Sequence, residues 1–315
     1  MDVAYAEVLA AAERIAPHLP TTPAWSYPLL DEVVGSCVVV KHENAQPTGA
    51  FKVRGGVNLA LQLSREQRAA GLVTASTGNH AQSVCYGARL VGARAVVVVP
   101  ESAPPSKVTA VRALGGEVVV HGPTMNEASD EARRVAGERG MRYVDPGNDP
   151  DIVHGHATVY LELLRQYPDL DVVYVPVGSG TGASGACVVR DALAPGCRVV
   201  AVQSEAAPAA HEAWRTGAPA QAPCLTRSSG LATGRSFALP QAVLAGRLDD
   251  FLLVSDLQLD AAAGLLARHA HTLAETAGAA GLAGLLVDPD KRDRCAVVVT
   301  GGNASEDEIG RLARG

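Results

Sequence analysis

The chain has 315 residues, a formal net charge of −6 and a pI near 5.8. It is 47% hydrophobic, 19% charged and 4% aromatic, which excludes a disordered or tail-rich protein and leaves neither a basic stripe for nucleic acid nor an apolar run of the roughly 18 residues that a membrane span requires. The length permits one large or two ordinary domains.

The first segment, Met1 to Pro20, places Asp2, Glu7, Glu13 and Arg14 in an amphipathic helix pattern. It lacks the basic start and apolar run of a signal peptide, so a cytoplasmic location is expected. Short β-branched runs then alternate with stretches of helical period. Strands are predicted at Cys37–Lys41, Leu72–Ala75, Arg94–Val99, Glu117–His121, Val172–Pro176, Arg198–Gln203 and Ala296–Thr300. Helices are predicted at Val53–Ala70, His80–Val91, Pro105–Leu114, Asn126–Arg139 and Val153–Tyr167. Runs that are apolar throughout suit strands covered on both faces, as in a parallel sheet. The alternation predicts an α/β fold of doubly wound, mostly parallel sheets in two lobes. Of the six cysteines, Cys37, Cys85, Cys187 and Cys295 sit in apolar or small-residue segments, and none forms a CxxC pair. Buried, reduced thiols without a redox or metal role are expected.

Four segments at predicted strand ends concentrate glycine and polar residues, at the edge where open α/β sheets bind ligands. The turn Pro47-Thr48-Gly49 leads into a helix opening near Lys52. A lysine there opposes the helix dipole. It either points to solvent, the commoner reading from spacing alone, or supplies a neutral amine for Schiff-base chemistry. Ala75-Ser76-Thr77-Gly78-Asn79-His80-Ala81 joins a strand to a helix. It reads equally as an anion site for a carboxylate or phosphate and as ordinary N-capping by Ser76, Thr77 or Asn79. Gly178-Ser179-Gly180-Thr181-Gly182 follows the strand ending at Pro176 and opens another helix. It reads as a backbone nest for a phosphate, ahead of plain tight packing, yet its spacing matches neither the dinucleotide fingerprint nor a P-loop. Thr300 ends the last strand, where a buried hydroxyl bonds either backbone or a ligand ring.

Taken in this order, these segments resemble the fold-type II (tryptophan synthase β-like) pyridoxal-phosphate enzymes, in particular the serine/threonine dehydratase or ammonia-lyase branch that also contains serine racemase. The resemblance runs from about Pro23 to Asn303. It implies that Lys52 binds the cofactor covalently and then acts as the general base. It implies that Phe51 and Asn79 lie at the cofactor ring, that Gly178, Ser179, Gly180, Thr181 and Gly182 hold its phosphate, and that Thr300 faces the pyridine nitrogen. The same resemblance makes Ser76, Thr77, Gly78, Asn79 and His80 the cradle of the substrate carboxylate. It also places the stretch Ala274–Ala279 near the cofactor. The implied reaction converts a threonine- or serine-like β-hydroxy amino acid to a 2-oxo acid and ammonia. Alternatives are a racemase, with Thr77 as the catalytic hydroxyl on the face opposite Lys52, or another β-elimination or replacement enzyme. The implied organisation is a large lobe of residues 1–62 and 142–315, a smaller inserted lobe of residues 63–141, and a homodimer. Only Ala304–Gly315 follow the last motif, too little for an appended regulatory domain.

The sequence departs from the family pattern at several points. His156 in Gly155-His156-Ala157-Thr158 replaces a usual glutamine, Ser228-Ser229-Gly230 lacks an acidic residue, and Asp145-Pro146-Gly147-Asn148 replaces a segment with a bulky side chain. Gly147 is expected to leave a hole in the site wall, and a substrate larger than threonine becomes an option. Gln203 and Ala209 stand where metal-binding relatives carry acids, so no metal is expected.

Overall fold

The computed structural model describes residues 3–312. Met1 and Asp2 of the predicted first helix lie outside the described residues, and the helix itself spans Tyr5–Ile15. Among the described residues, ten strands form two sheets. They are β1 (Ala24–Trp25), β2 (Cys37–His42), β3 (Leu72–Ala75), β4 (Ala95–Val99), β5 (Glu117–Val120), β6 (Arg142–Tyr143), β7 (Val172–Pro176), β8 (Arg198–Ser204), β9 (Asp250–Val254) and β10 (Arg294–Val299). The larger sheet has the order β1-β2-β10-β7-β8-β9, and the smaller one β5-β4-β3-β6. All neighbours are parallel except β1, which runs antiparallel to β2.

The valine-rich runs divide their side chains between two faces, as a period of two requires. In the larger sheet Val39, Val173, Val175, Val199 and Val298 enter one core, while Val38, Val40, Val200, Val202 and Val297 enter the other. In the smaller sheet Leu72, Val97 and Val99 face one way, and Val73, Val96 and Val98 the other. Each buried valine contributes about 1.5–3 kcal/mol, which is why these strands carry no polar alternation. Among the described residues, no helix is long and apolar enough to cross a membrane.

The predicted helix Val53–Ala70 is two helices, Lys52–Leu61 and Arg65–Ala70. Ser64 starts the second with a capping box to Gln67. That S-x-x-Q pattern stops one helix and starts the next. The same signature, Ser255 to Gln258, opens helix Asp256–His269 after β9, a strand and helix the periodicity reading omitted. Cys85, Cys187, Cys197 and Cys295 are buried. Cys37 is not: as the first residue of β2 it is exposed, as is Cys224.

Helix Lys52–Leu61 is held between two others. A Cβ on Gly56 would lie 2.2 Å from the Ser83 carbonyl oxygen, and one on Gly155 would lie 2.5 Å from that of Arg54. Backbone therefore packs on backbone on two sides. Arg54 is buried and pairs with Glu43 at 2.7 Å and Glu162 at 2.7 Å. Removing one partner of such a buried pair costs about 3–5 kcal/mol. The helix that begins at Lys52 thus has little freedom to shift.

Candidate active site

A cavity of about 630 Å³ opens between the two sheets, beyond the C-terminal ends of β3, β7 and β10. All the candidate residues line it: Phe51, Lys52, Ser76 to His80, Gly178 to Gly182, and Thr300. Residues as far apart in sequence as Phe51 and Thr300, 249 positions, meet there.

Lys52 is the first residue of its helix. The chain before it is stitched to the end of β10. Ala50 bridges Gly301, and the Phe51 N–H donates to the Thr300 carbonyl at 2.9 Å. The lysine side chain is half-buried, with Nζ 4.8 Å from the Phe51 ring centroid and donating to Thr181 Oγ1 at 3.2 Å. It forms no ion pair among the described residues. Burial lowers its pKa from 10.5 to about 8, because an unpaired ammonium loses hydration that nothing replaces. A lysine pointing freely to solvent is thereby excluded.

The loop after β3 does not cap its helix with a side chain: the N-cap of helix Asn79–Leu90 is Gly78. Ser76 Oγ instead accepts from the Gly78 N–H at 3.2 Å within the loop. The first N–H groups of the helix thus remain for an anion. Asn79 spans the cleft: its Nδ2 donates to Glu275 at 2.6 Å, and its Oδ1 accepts from Asn303 at 2.8 Å. His80 is buried behind the loop, and burial first, then Lys52, lowers its pKa to about 4. Thr74 gives its proton to the Val144 carbonyl at 2.8 Å, so neutral His80 donates to Thr74 from Nε2 at 3.1 Å.

The loop after β7 is built differently. Gly180 has φ +92°, a left-handed conformation costly for other residues. A Cβ on Gly178 would lie 2.4 Å from the Gly230 carbonyl oxygen. Helix Thr181–Leu193 follows, again without a side-chain cap. Thr300 is buried, and its hydroxyl makes no hydrogen bond among the described residues, so the backbone-bonded reading does not hold.

Glu275, within the Ala274–Ala279 stretch expected near the cofactor, lines the cavity and is buried with its carboxyl pKa raised, chiefly by desolvation. Other lining residues escaped the sequence reading: Lys107, Arg133, Arg235 and Phe237. Lys107 and Arg133 lie on helices Pro105–Ala113 and Met125–Arg139, and Arg235 lies in an irregular segment without any motif. The expected hole at Gly147 is filled. A Cβ there would lie 2.3 Å from Phe237 Cδ1, so Phe237 supplies the bulk from elsewhere in the chain.

This geometry has counterparts. The profile of the family described as "Pyridoxal-phosphate dependent enzyme" matches residues 15–301. The chain belongs to that family. Among its relatives, an L-threonine ammonia-lyase of Thermotoga maritima is 35% identical over 97% of this chain and 77% of its own length. A β-hydroxyaspartate dehydratase of Paracoccus denitrificans is 35% identical over 97% of this chain and 98% of its own. The solved structure of maize serine racemase superposes with a TM-score of 0.90 at 30% identity, covering 99% of this chain and 97% of that one. The pyridoxal-phosphate fold type II expected from the motifs is the fold observed.

The residues present fit the cofactor of the family. The glycine nest and the uncapped helix start at Thr181 suit a phosphate. The desolvated Lys52 amine suits a carbonyl carbon, and the free Thr300 hydroxyl suits a neutral ring nitrogen. When bound, this cofactor supplies an electron sink for the substrate's α-carbon.

Proposed function

We propose that the β-hydroxy amino acid deaminated by this pyridoxal-phosphate ammonia-lyase carries a second carboxylate, as 3-hydroxyaspartate does. The observation that carries this reading is the positive charge at the cavity mouth. Arg133 comes from helix Met125–Arg139 over the smaller sheet, and Arg235 from the irregular chain after β8. Both act electrostatically on the same phenol, that of Tyr143, and Lys107 lines the same cavity. Against them stand the exposed Asp130, paired with Arg133 at 3.1 Å, and Glu275, engaged by Asn79. Arg235 has no ion-pair partner among the described residues; it lies over Phe237, 5.4 Å from the ring centroid. A methyl group at the β-carbon offers these cations no hydrogen-bond acceptor, whereas a carboxylate offers charge-assisted hydrogen bonds. The relative named β-hydroxyaspartate dehydratase, matched over nearly its whole length, supports the same class.

Within this reading Ser76 to His80 and the free N–H groups of helix Asn79–Leu90 hold the α-carboxylate. Lys52, with its pKa lowered to about 8, removes the α-proton from one face. The phosphate rests on Gly178 to Gly182, Phe51 and Asn79 border the ring, and Thr300 faces its nitrogen. Residues 63–141, together with β6, act as the smaller lobe. The free state of all six cysteines supports a reducing, cytoplasmic compartment. Exposed Trp25, Leu29 and Val33, grouped on β1 and helix Pro28–Val34, support a homodimer face. A second reading is racemisation, because the Thr77 hydroxyl lines the cavity with Lys52.

The test is a substrate panel of the threo and erythro 3-hydroxyaspartates, L-threonine and L-serine, scored by 2-oxo acid and by D-amino acid. The hydroxyaspartates give the highest kcat/KM. Arg235→Leu or Arg133→Leu lowers that value about 10–100-fold, as loss of a charged hydrogen bond implies, while threonine turnover changes less than about threefold. Equal losses on both substrates would refute the second carboxylate. D-amino acid as the main product would favour the racemase.

A further inference from the structure

Thr181 stands where the glycine loop becomes a helix, and its buried hydroxyl meets three groups: Lys52 Nζ at 3.2 Å, Ser179 Oγ at 3.4 Å and His156 Nδ1 at 3.0 Å. His156 is fully buried, its ring tilted against Phe51 with centroids 4.7 Å apart. Its Nε2 faces the Lys52 carbonyl oxygen at 3.4 Å. The ring has this place because residue 55 has no side chain: a Cβ on Gly55 would lie 2.6 Å from Nε2. Burial first, then the charge of Lys52, holds the imidazole well below its usual pKa, so it is neutral and carries one proton. A carbonyl oxygen only accepts, which puts that proton on Nε2 and leaves Nδ1 a bare acceptor. Thr181 then donates to Nδ1 and turns its lone pairs to Lys52. The relay runs from the Lys52 amine through the Thr181 hydroxyl to His156, and closes on the Lys52 carbonyl.

We propose that His156 is a positioning residue that sets the direction of the Thr181 hydroxyl, and that a phosphate seated on Gly178 to Thr181 reverses the relay. The inference rests on the reading of that loop as the phosphate seat. A phosphate oxygen accepts, so Thr181 turns its proton toward the anion. Its oxygen would then face a bare Nδ1 at 3.0 Å, lone pair to lone pair, so His156 carries its proton on Nδ1 and donates to Thr181. The bond given up, from Nε2 to the Lys52 carbonyl, is the longer and weaker one. Thr181 then accepts from His156 with one lone pair and keeps the other toward Lys52.

The experiment uses the full chain with ¹⁵N-labelled histidine, as the cofactor-loaded enzyme and after removal of pyridoxal phosphate, with inorganic phosphate titrated into the latter. The His156 ring signals are identified by their loss in His156→Gln. Without phosphate, Nδ1 has the shift of a bare nitrogen and Nε2 that of a protonated one. Phosphate exchanges the two and moves the amides of Gly178 to Thr181. Thr181→Val abolishes the exchange. His156→Phe, which keeps a buried ring but no nitrogens, weakens phosphate binding about tenfold. If the amides move while the proton stays on Nε2, the relay is overturned and the phosphate seat stands. If the amides do not move, the seat and the relay fall together. An exchange that persists in Thr181→Val also overturns the relay.

Discussion

The loops after β3 and after β7 solve the same problem in opposite ways. Both follow a parallel strand, both open a helix without a side-chain cap, and both border the cavity that holds Lys52. The β7 loop is built by exclusion. Gly180 requires a left-handed backbone, and Gly178 abuts the Gly230 carbonyl so closely that no side chain fits. The β3 loop is open. A Cβ on Gly78 would have nothing within 4 Å, and the loop is tied by Ser76 inside and by Asn79 to Glu275 and Asn303 across the cleft. A pre-shaped nest suits a group that stays bound, and an open loop with side-chain ties suits a substrate that arrives and leaves.

The largest effect expected is at the residue between the two loops. Lys52→Ala leaves both loops in place and removes the amine, so ammonia release falls about 10³-fold or more. Assay of the variant with added pyridoxal phosphate checks this; retention of a tenth of the activity would contradict the assignment.

Lys52 also affects stability through its pKa, lowered from 10.5 to about 8. Between pH 8 and 10.5 the unfolded chain binds more protons than the folded one, so stability rises with pH across that window. Below pH 8 the amine is charged in both states and its desolvation destabilises the fold in full, on the order of 3 kcal/mol. In the cofactor-stripped chain, Lys52→Met is therefore more stable at pH 7, and the difference closes above pH 10.5. Urea unfolding at several pH values reads this directly. A variant equal to or less stable than the parent at pH 7 would mean the amine is not desolvated.

A smaller effect separates the loops themselves. Gly178→Ala forces backbone apart and costs about 1–3 kcal/mol, with weaker cofactor retention. Gly78→Ala meets nothing and stays within about 0.5 kcal/mol, with any change confined to KM. Thermal unfolding and cofactor titration of the pair check the contrast, and equal losses would erase it.

The sheets were legible because their strands are apolar on both faces, and the two valine-rich cores demand such runs. The site was legible where chemistry and turn geometry coincide in a short segment, as at Ser76–His80 and Gly178–Gly182. Features made by distant segments were not. Phe237 fills the space over Gly147 from 90 positions away in sequence, so local composition suggested a hole. Arg133 and Arg235 carry ordinary surface charges until the fold turns them toward one cavity. His156 stood out as a departure, but its role depends on Thr181, which helix packing brings beside it. Cys37 occupies an apolar run yet is its exposed first residue, a matter of where the strand begins. The breaks at Ser64 and Ser255 were written as capping boxes and were available to a reading that weighed caps alongside periodicity.

The central claim is that Lys52 carries the cofactor. The chain has four lysines: Lys41, Lys52, Lys107 and Lys291. Borohydride reduction of the loaded enzyme followed by peptide mass spectrometry locates the pyridoxyl group without reference to activity. The account predicts one modified peptide, carrying the group on Lys52, and none in Lys52→Ala. Modification of Lys107, the other lysine lining the cavity, or an unmodified chain, would contradict it.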